Sequence, residues 1–158
     1  MKLKLDGWDL GITFAAAHFI PGHQKCARLH GHVYAIHCEI EGDEGEGYMV
    51  MDFTEIKRFL REIADTLDHH VLVPGGKGEA KVDVEDDYVK VSVGDKKYLF
   101  PSEDCAIIDV PTTSAEELSK FILSWLLSRV KFPENVRSIS IGVDEGKGQG
   151  AWVERRAK

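Results

Sequence analysis

His30 and His32 stand two positions apart where an apolar, β-branched run begins, so as neighbours on a strand their side chains would share one face, about 6.6 Å apart along the backbone. Two imidazoles so placed can converge on one cation. Catalytic zinc sites take three protein ligands and leave a fourth position for water or substrate, and His18, at the end of the strand-like FAAAH, is the candidate third ligand. Three neutral ligands would leave such an ion its full charge, making it a Lewis acid toward a hydroxyl or carbonyl oxygen. An H-x-H pair alone also describes a turn with two exposed rings. Here, however, five of the seven histidines fall between positions 18 and 37. Cys26, four residues before His30, has three readings: a fourth ligand closing a structural site, an inert small hydrophobe, or a thiolate acting as general base beside a polarised substrate.

A second polar group, Asp68-His69-His70, follows a helical pattern, and an Asp beside a His can orient an imidazole and stabilise its protonated form. At a helix end the same residues are also common surface groups. Glu145 lies between a strand and a Gly-rich turn, where a carboxylate is either solvated or accepts two N–H donors from a guanidine-like heterocycle edge. His37 differs from His32 by an odd number of positions and faces the other side of the strand, a structural placement. His23 and His70 receive no catalytic role. Cys38 and Cys105 read as core.

The elements that must carry these residues follow from periodicity. Lys2 to His18 reads as a strand or bent strand pair. His32 to Glu41, the turn GDEGEG and Tyr48 to Met51 read as an antiparallel hairpin. Phe53, Ile56, Phe59, Leu60, Ile63 and Leu67 recur at helical spacing, predicting an amphipathic helix that ends near Asp68. Tyr88 to Phe100, with Gly94-Asp95 at its centre, predicts a second hairpin. Thr113 and Glu116 fit a capping box for a second helix closed by Pro133, and Val136 to Val143 reads as a strand that GKGQG turns back into AWVERR. The order predicts an α+β chain on an antiparallel sheet.

At 158 residues the chain is one domain's length, and 43% hydrophobic with 30% charged residues is the composition of a folded protein rather than a disordered one. A net charge of -7 without a basic cluster argues against nucleic acid as a partner. Three cysteines without CxxC spacing predict neither a disulfide framework nor a four-cysteine zinc site. Asp6 and Asp9 interrupt any signal-peptide core, and the apolar stretch Phe121 to Val130 is broken by Ser124, Ser128 and Arg129. A cytoplasmic protein with no membrane partner is expected.

FAAAHFIPGHQKCARLHGHVY resembles the motif of the 6-pyruvoyltetrahydropterin and 6-carboxytetrahydropterin synthase family. The resemblance continues through YMVMDFTEIK, LDHHVL, SAEEL and VDEGKGQGAW, covering about residues 8–72 and 105–153. It implies that His18, His30 and His32 hold Zn2+, that Cys26 abstracts a proton with Asp68 and His69 as partner dyad, and that Glu145 anchors the pterin's amino-pyrimidine edge. Glu116 falls where the family has another acid near the pterin. The implied fold is the tunnelling fold, a four-stranded antiparallel sheet with two helices on one face, here with an inserted hairpin at about residues 74–104. The implied assembly is a homohexamer, a dimer of trimers with sites between subunits. The implied substrate is 7,8-dihydroneopterin triphosphate. The C-x-x-x-H-G-H spacing is more similar to the 6-carboxytetrahydropterin synthases of the deazapurine (queuosine-type) pathway than to the 6-pyruvoyl enzymes. A zinc-binding or pterin-binding protein without turnover is the non-enzyme alternative.

Overall fold

A computed structural model describes residues 1–156. In chain order the elements are β1 (Lys2–Leu5), α1 (Gly7–Leu10), β2 (Thr13–His18), β3 (His30–Gly42), α2 (Phe53–Leu67), β4 (His70–Pro74), β5 (Lys81–Val84), β6 (Tyr88–Val93), β7 (Lys96–Pro101), β8 (Cys105–Ile108), α3 (Ala115–Leu127), β9 (Val136–Asp144) and β10 (Gly150–Arg156).

The mixed α+β architecture agrees with expectation, but the main sheet is larger than the four antiparallel strands foreseen. It has seven, in the order β10-β9-β3-β2-β4-β8, with β1 pairing on β3. The run β10-β9-β3-β2 is antiparallel, whereas β2 with β4 and β4 with β8 are parallel. The additional strands HVLVP and CAII are short apolar runs whose partners lie far away in sequence, so local pattern does not announce them.

β3 is the central strand. Its thirteen residues pair with β2, β9 and β1 instead of folding back into the hairpin expected through Met51. Residues 46–48 form a 3-10 turn, with Gly47 at φ 68° and Tyr48 at φ 59°. The opening segment likewise departs from expectation: Asp6 caps the one-turn helix α1 between β1 and β2, accepting from the Asp9 N–H at 3.1 Å.

Helix α2 forms as its spacing predicts. Asp52 caps it, accepting from the Thr54 N–H at 2.8 Å, and Ile56, Leu60, Ile63 and Leu67 are buried. For α3 the cap is Ser114, which accepts from the Glu117 N–H, and not Thr113. Ser114-Ala115-Glu116-Glu117 satisfies the same S/T-x-x-E pattern one residue later, and Thr113 is fully buried elsewhere. The helix ends at Leu127, before Pro133 can act. Both helices pack Leu60, Ile63, Leu118 and Ile122 into one core with Phe14, Tyr34, Ile36 and Ile141, so they cover one face of the sheet.

The expected hairpin at residues 88–100 is present as β6 and β7, but β5 joins it to make a separate three-stranded sheet. That sheet has its own small core of Phe19, Val73, Ala80, Val89 and Val91. Among the described residues no helix is long and apolar enough to cross a membrane.

Candidate active site

β2 and β3 pair with His18 opposite His30 and Ala16 opposite His32. Alternation along each strand puts the three histidines on the face that also carries Phe14 and Tyr34, the helix-bearing face. The loop before α3 closes over them. The Thr113 carbonyl accepts from His18 Nδ1 at 3.0 Å, and the Arg28 carbonyl accepts from His30 Nδ1 at 2.7 Å. A carbonyl oxygen only accepts, so both rings carry a proton on Nδ1, and a ring with just that proton presents a bare lone pair on Nε2.

Those two Nε2 atoms are 3.2 Å apart. With no proton between them they repel, unless a cation lies within reach of both. Tetrahedral zinc with bonds of 2.0 to 2.1 Å sets its nitrogen ligands about 3.3 Å apart, which the observed separation matches. Ligand atoms of His18, His30 and His32 all lie within 4.8 Å of one another, and they form the metal-type cluster found among the described residues. Burial drives the His18 pKa down to about 4, outweighing the Thr113 carbonyl, with the charges of His30 and His32 lowering it further. The ring is therefore neutral at pH 7 and competent as a ligand. Tyr34 lies edge-on to His18 and His32, stacked on Phe14 at 4.7 Å. Its hydroxyl is buried without a protein partner, and burial together with Glu145 raises its pKa well above the usual range.

Cys26 stands outside the histidine cluster. Its loop is closed by the Ile20 N–H donating to the Cys26 carbonyl at 2.7 Å and the Ala27 N–H donating to the His23 carbonyl at 3.1 Å. His23, given no role from sequence, accepts the Cys26 N–H on Nδ1 at 3.2 Å. Cys26, His23, Glu116, Glu145 and Gln149 line one hollow of about 330 Å³. Glu145 Oε1 is 4.0 Å from His18 Nε2, and the turn holding it relies on Gly146 (φ 144°) and Gly148 (φ 89°), conformations that side chains resist. Because Ser114 performs the capping, Glu116 is released from the helix-start role that the sequence offered it.

His69 lines a different hollow, with Asp68 behind it as its hydrogen-bond partner. Ala15 grips both: its N–H donates to Asp68 Oδ1 at 2.7 Å, and its carbonyl accepts the His69 N–H at 2.6 Å. His69 Nδ1 donates to Asp68 Oδ2 at 2.6 Å. The Ala15 N–H, followed by His69, holds the Asp68 carboxyl below the ordinary carboxylate range. His69 sits at φ 59°, a costly conformation for a non-glycine residue and one that clusters at functional sites. The hollow beside His69 is further lined by Ala15, Ala17, Val33, His70 and Asp104, and only His32 of the histidine cluster reaches it.

This geometry joins a match that spans nearly the whole chain: the 6-pyruvoyl tetrahydropterin synthase family aligns over residues 10–156. The chain belongs to that family. A Methanocaldococcus jannaschii protein provisionally named 6-carboxy-5,6,7,8-tetrahydropterin synthase is 32% identical over 98% of this chain and 97% of its own length. A similarly named Pyrococcus abyssi protein is 37% identical over 84% of this chain and 79% of its own. The crystal structure of Plasmodium vivax 6-pyruvoyltetrahydropterin synthase superposes with a TM-score of 0.89 at 28% identity, covering 99% of this chain and 98% of that one.

Of the residues read from sequence, the fold brings His18, His30 and His32 together and sets Cys26, Glu116 and Glu145 around one cavity beside them. Within one chain it does not bring Asp68 and His69 into that cavity. Sequence reading missed the Thr113 and Arg28 carbonyls that orient two rings. Being backbone atoms, they leave no trace in residue type. It also missed the buried Tyr34 hydroxyl, whose signal was its even spacing from His30 and His32.

Proposed function

We propose that the chain is a zinc-dependent lyase that converts 7,8-dihydroneopterin triphosphate and water to 6-carboxy-5,6,7,8-tetrahydropterin, triphosphate and a two-carbon aldehyde released by cleavage of a side-chain carbon–carbon bond. The observation that carries this reading is the pair of Nε2 atoms 3.2 Å apart, each ring's Nδ1 tied to a carbonyl, with the free thiol of Cys26 outside the cluster. His18, His30 and His32 would hold zinc, which when bound polarises a side-chain oxygen of the substrate. Glu145, with Glu116, accepts N–H donors of the amino-pyrimidine edge and fixes the ring's orientation. Cys26 removes a carbon-bound proton, and the Asp68–His69 pair carries protons as triphosphate departs. The Plasmodium vivax enzyme, by contrast, has been solved with a catalytic glutamate replaced by cysteine.

The separation of the Cys26 hollow from the His69 hollow supports sites completed by two chains, and we assign a homohexamer built as a dimer of trimers. Residues 1–158 would then act as one pterin-synthase unit in the cytoplasm, with residues 74–104 as an insertion.

Zinc-loaded protein incubated with dihydroneopterin triphosphate, with the products separated and weighed by mass spectrometry, tests the reading. The 6-carboxy product is expected. The 6-pyruvoyl product would move the chain to the neighbouring activity, and bound pterin with no release of triphosphate would leave a binding protein.

A further inference from the structure

The three-stranded sheet β5-β6-β7 takes no part in the arrangement described so far, yet two of its contacts lead to the loop that carries Cys26. Phe19, which follows His18, is buried in that sheet's own core, its ring stacked on Tyr98 at 5.2 Å and 16°. Tyr98 is backed in turn by Phe100 at 5.6 Å. At the tip between β6 and β7, Lys96 reaches across a sequence separation of 69 and donates from Nζ to the Ala27 carbonyl at 2.6 Å. Ala27 is the residue after Cys26. The loop is thus gripped where it leaves His18 and again beside the thiol, both times by one sheet, while its residues 22–25 are exposed.

We propose that this sheet is the brace that sets where the Cys26 thiol stands, with Lys96 and Tyr98 as positioning residues. The proposal rests on the reading of Cys26 as the proton-abstracting group. Proton transfer requires heavy atoms within about 2.6–3.2 Å, and a misplacement of about 1 Å costs on the order of a hundredfold in rate. Neither Lys96 nor Tyr98 lines the cavity of Cys26, Glu116 and Glu145, so each acts through the loop.

Lys96→Met, Lys96→Arg and Tyr98→Leu are to be compared with wild type as zinc-loaded full-length protein. Lys96→Met should lower kcat about tenfold while KM for dihydroneopterin triphosphate stays within about twofold, and Lys96→Arg should restore most of the loss. Zinc content should not change. Amide exchange over residues 20–28 and alkylation of Cys26 by iodoacetamide, read on the Cys26 peptide by mass spectrometry, should both accelerate, and Tyr98→Leu should behave alike. Lys96 is exposed, so its variants decide the matter if Tyr98→Leu does not fold. Unchanged kcat and unchanged exchange would overturn the proposal. So would a raised KM at constant kcat, which would make Lys96 a contact of the phosphate tail, or a loss of zinc. If wild type makes no tetrahydropterin, the functional reading fails, and exchange and alkylation still decide whether the sheet holds the loop.

Discussion

Around His18 and His30 the Nδ1 atoms are tied to carbonyls, that of Thr113 far along the chain for His18 and that of nearby Arg28 for His30, with His18 buried and His30 half-buried. Around His69 the opposite holds: its side chain is 83% exposed, its backbone is left-handed, and one carboxylate and one alanine hold it. The first region is organised to aim lone pairs at a fixed point. The second, on the proposed reading, presents a proton carrier at a surface. A chain that finishes one half of its chemistry internally and leaves the other half facing out is one that a neighbouring copy can complete.

The largest expected effect falls on the histidine half. His30→Ala should remove bound zinc, measured by elemental analysis, and lower turnover more than about a thousandfold. Retention of stoichiometric metal would break the contrast between an ion-holding and a proton-carrying region.

Cys26→Ala and His69→Ala test the division more sharply. Each should lose about a hundredfold to ten-thousandfold in kcat with zinc retained. Coexpressed so that both kinds of subunit enter one oligomer, they should recover about a quarter of wild-type activity, because random pairing unites an intact thiol with an intact dyad at that frequency. No recovery would place both groups of a working site in one chain.

The smallest effect concerns stability. The Asp68 carboxyl is lowered chiefly by the Ala15 N–H, so the folded state favours its ionised form. That contribution is fully present above the ordinary carboxylate pKa near 4 and is lost as pH falls through the lowered folded value. Asp68→Asn should therefore flatten the acid limb of a thermal-melting profile below about pH 4 and leave the neutral limb parallel to wild type. An unaltered acid limb would mean that the carboxylate does not hold β2 to the start of β4.

What could be read ahead of the structure follows a physical line. The histidine cluster was legible because an i,i+2 strand pair fixes its own geometry, and α2 was legible because Ile56, Leu60, Ile63 and Leu67 repeat with the helical period. β4 and β8 were not, because a parallel strand acquires its identity from a partner across a long crossover. The cap of α3 was misplaced by one residue because Thr113 and Ser114 fit the same pattern equally, and only the burial of Thr113 separates them. The contact of Lys96 with Ala27 had no local signal, since an exposed lysine after a Gly-Asp turn is ordinary.

Because the Thr113 and Arg28 carbonyls pin the ring protons outward, neither His18 nor His30 can trade tautomers to suit a different guest. On the proposed reading the three rings would fix where an ion sits and that it accept nitrogen, while imidazole ligands suit several divalent metals, nickel and zinc among them. Discrimination among them falls to the supply in the surrounding cell, and protein produced in media enriched in one of these elements should carry that element.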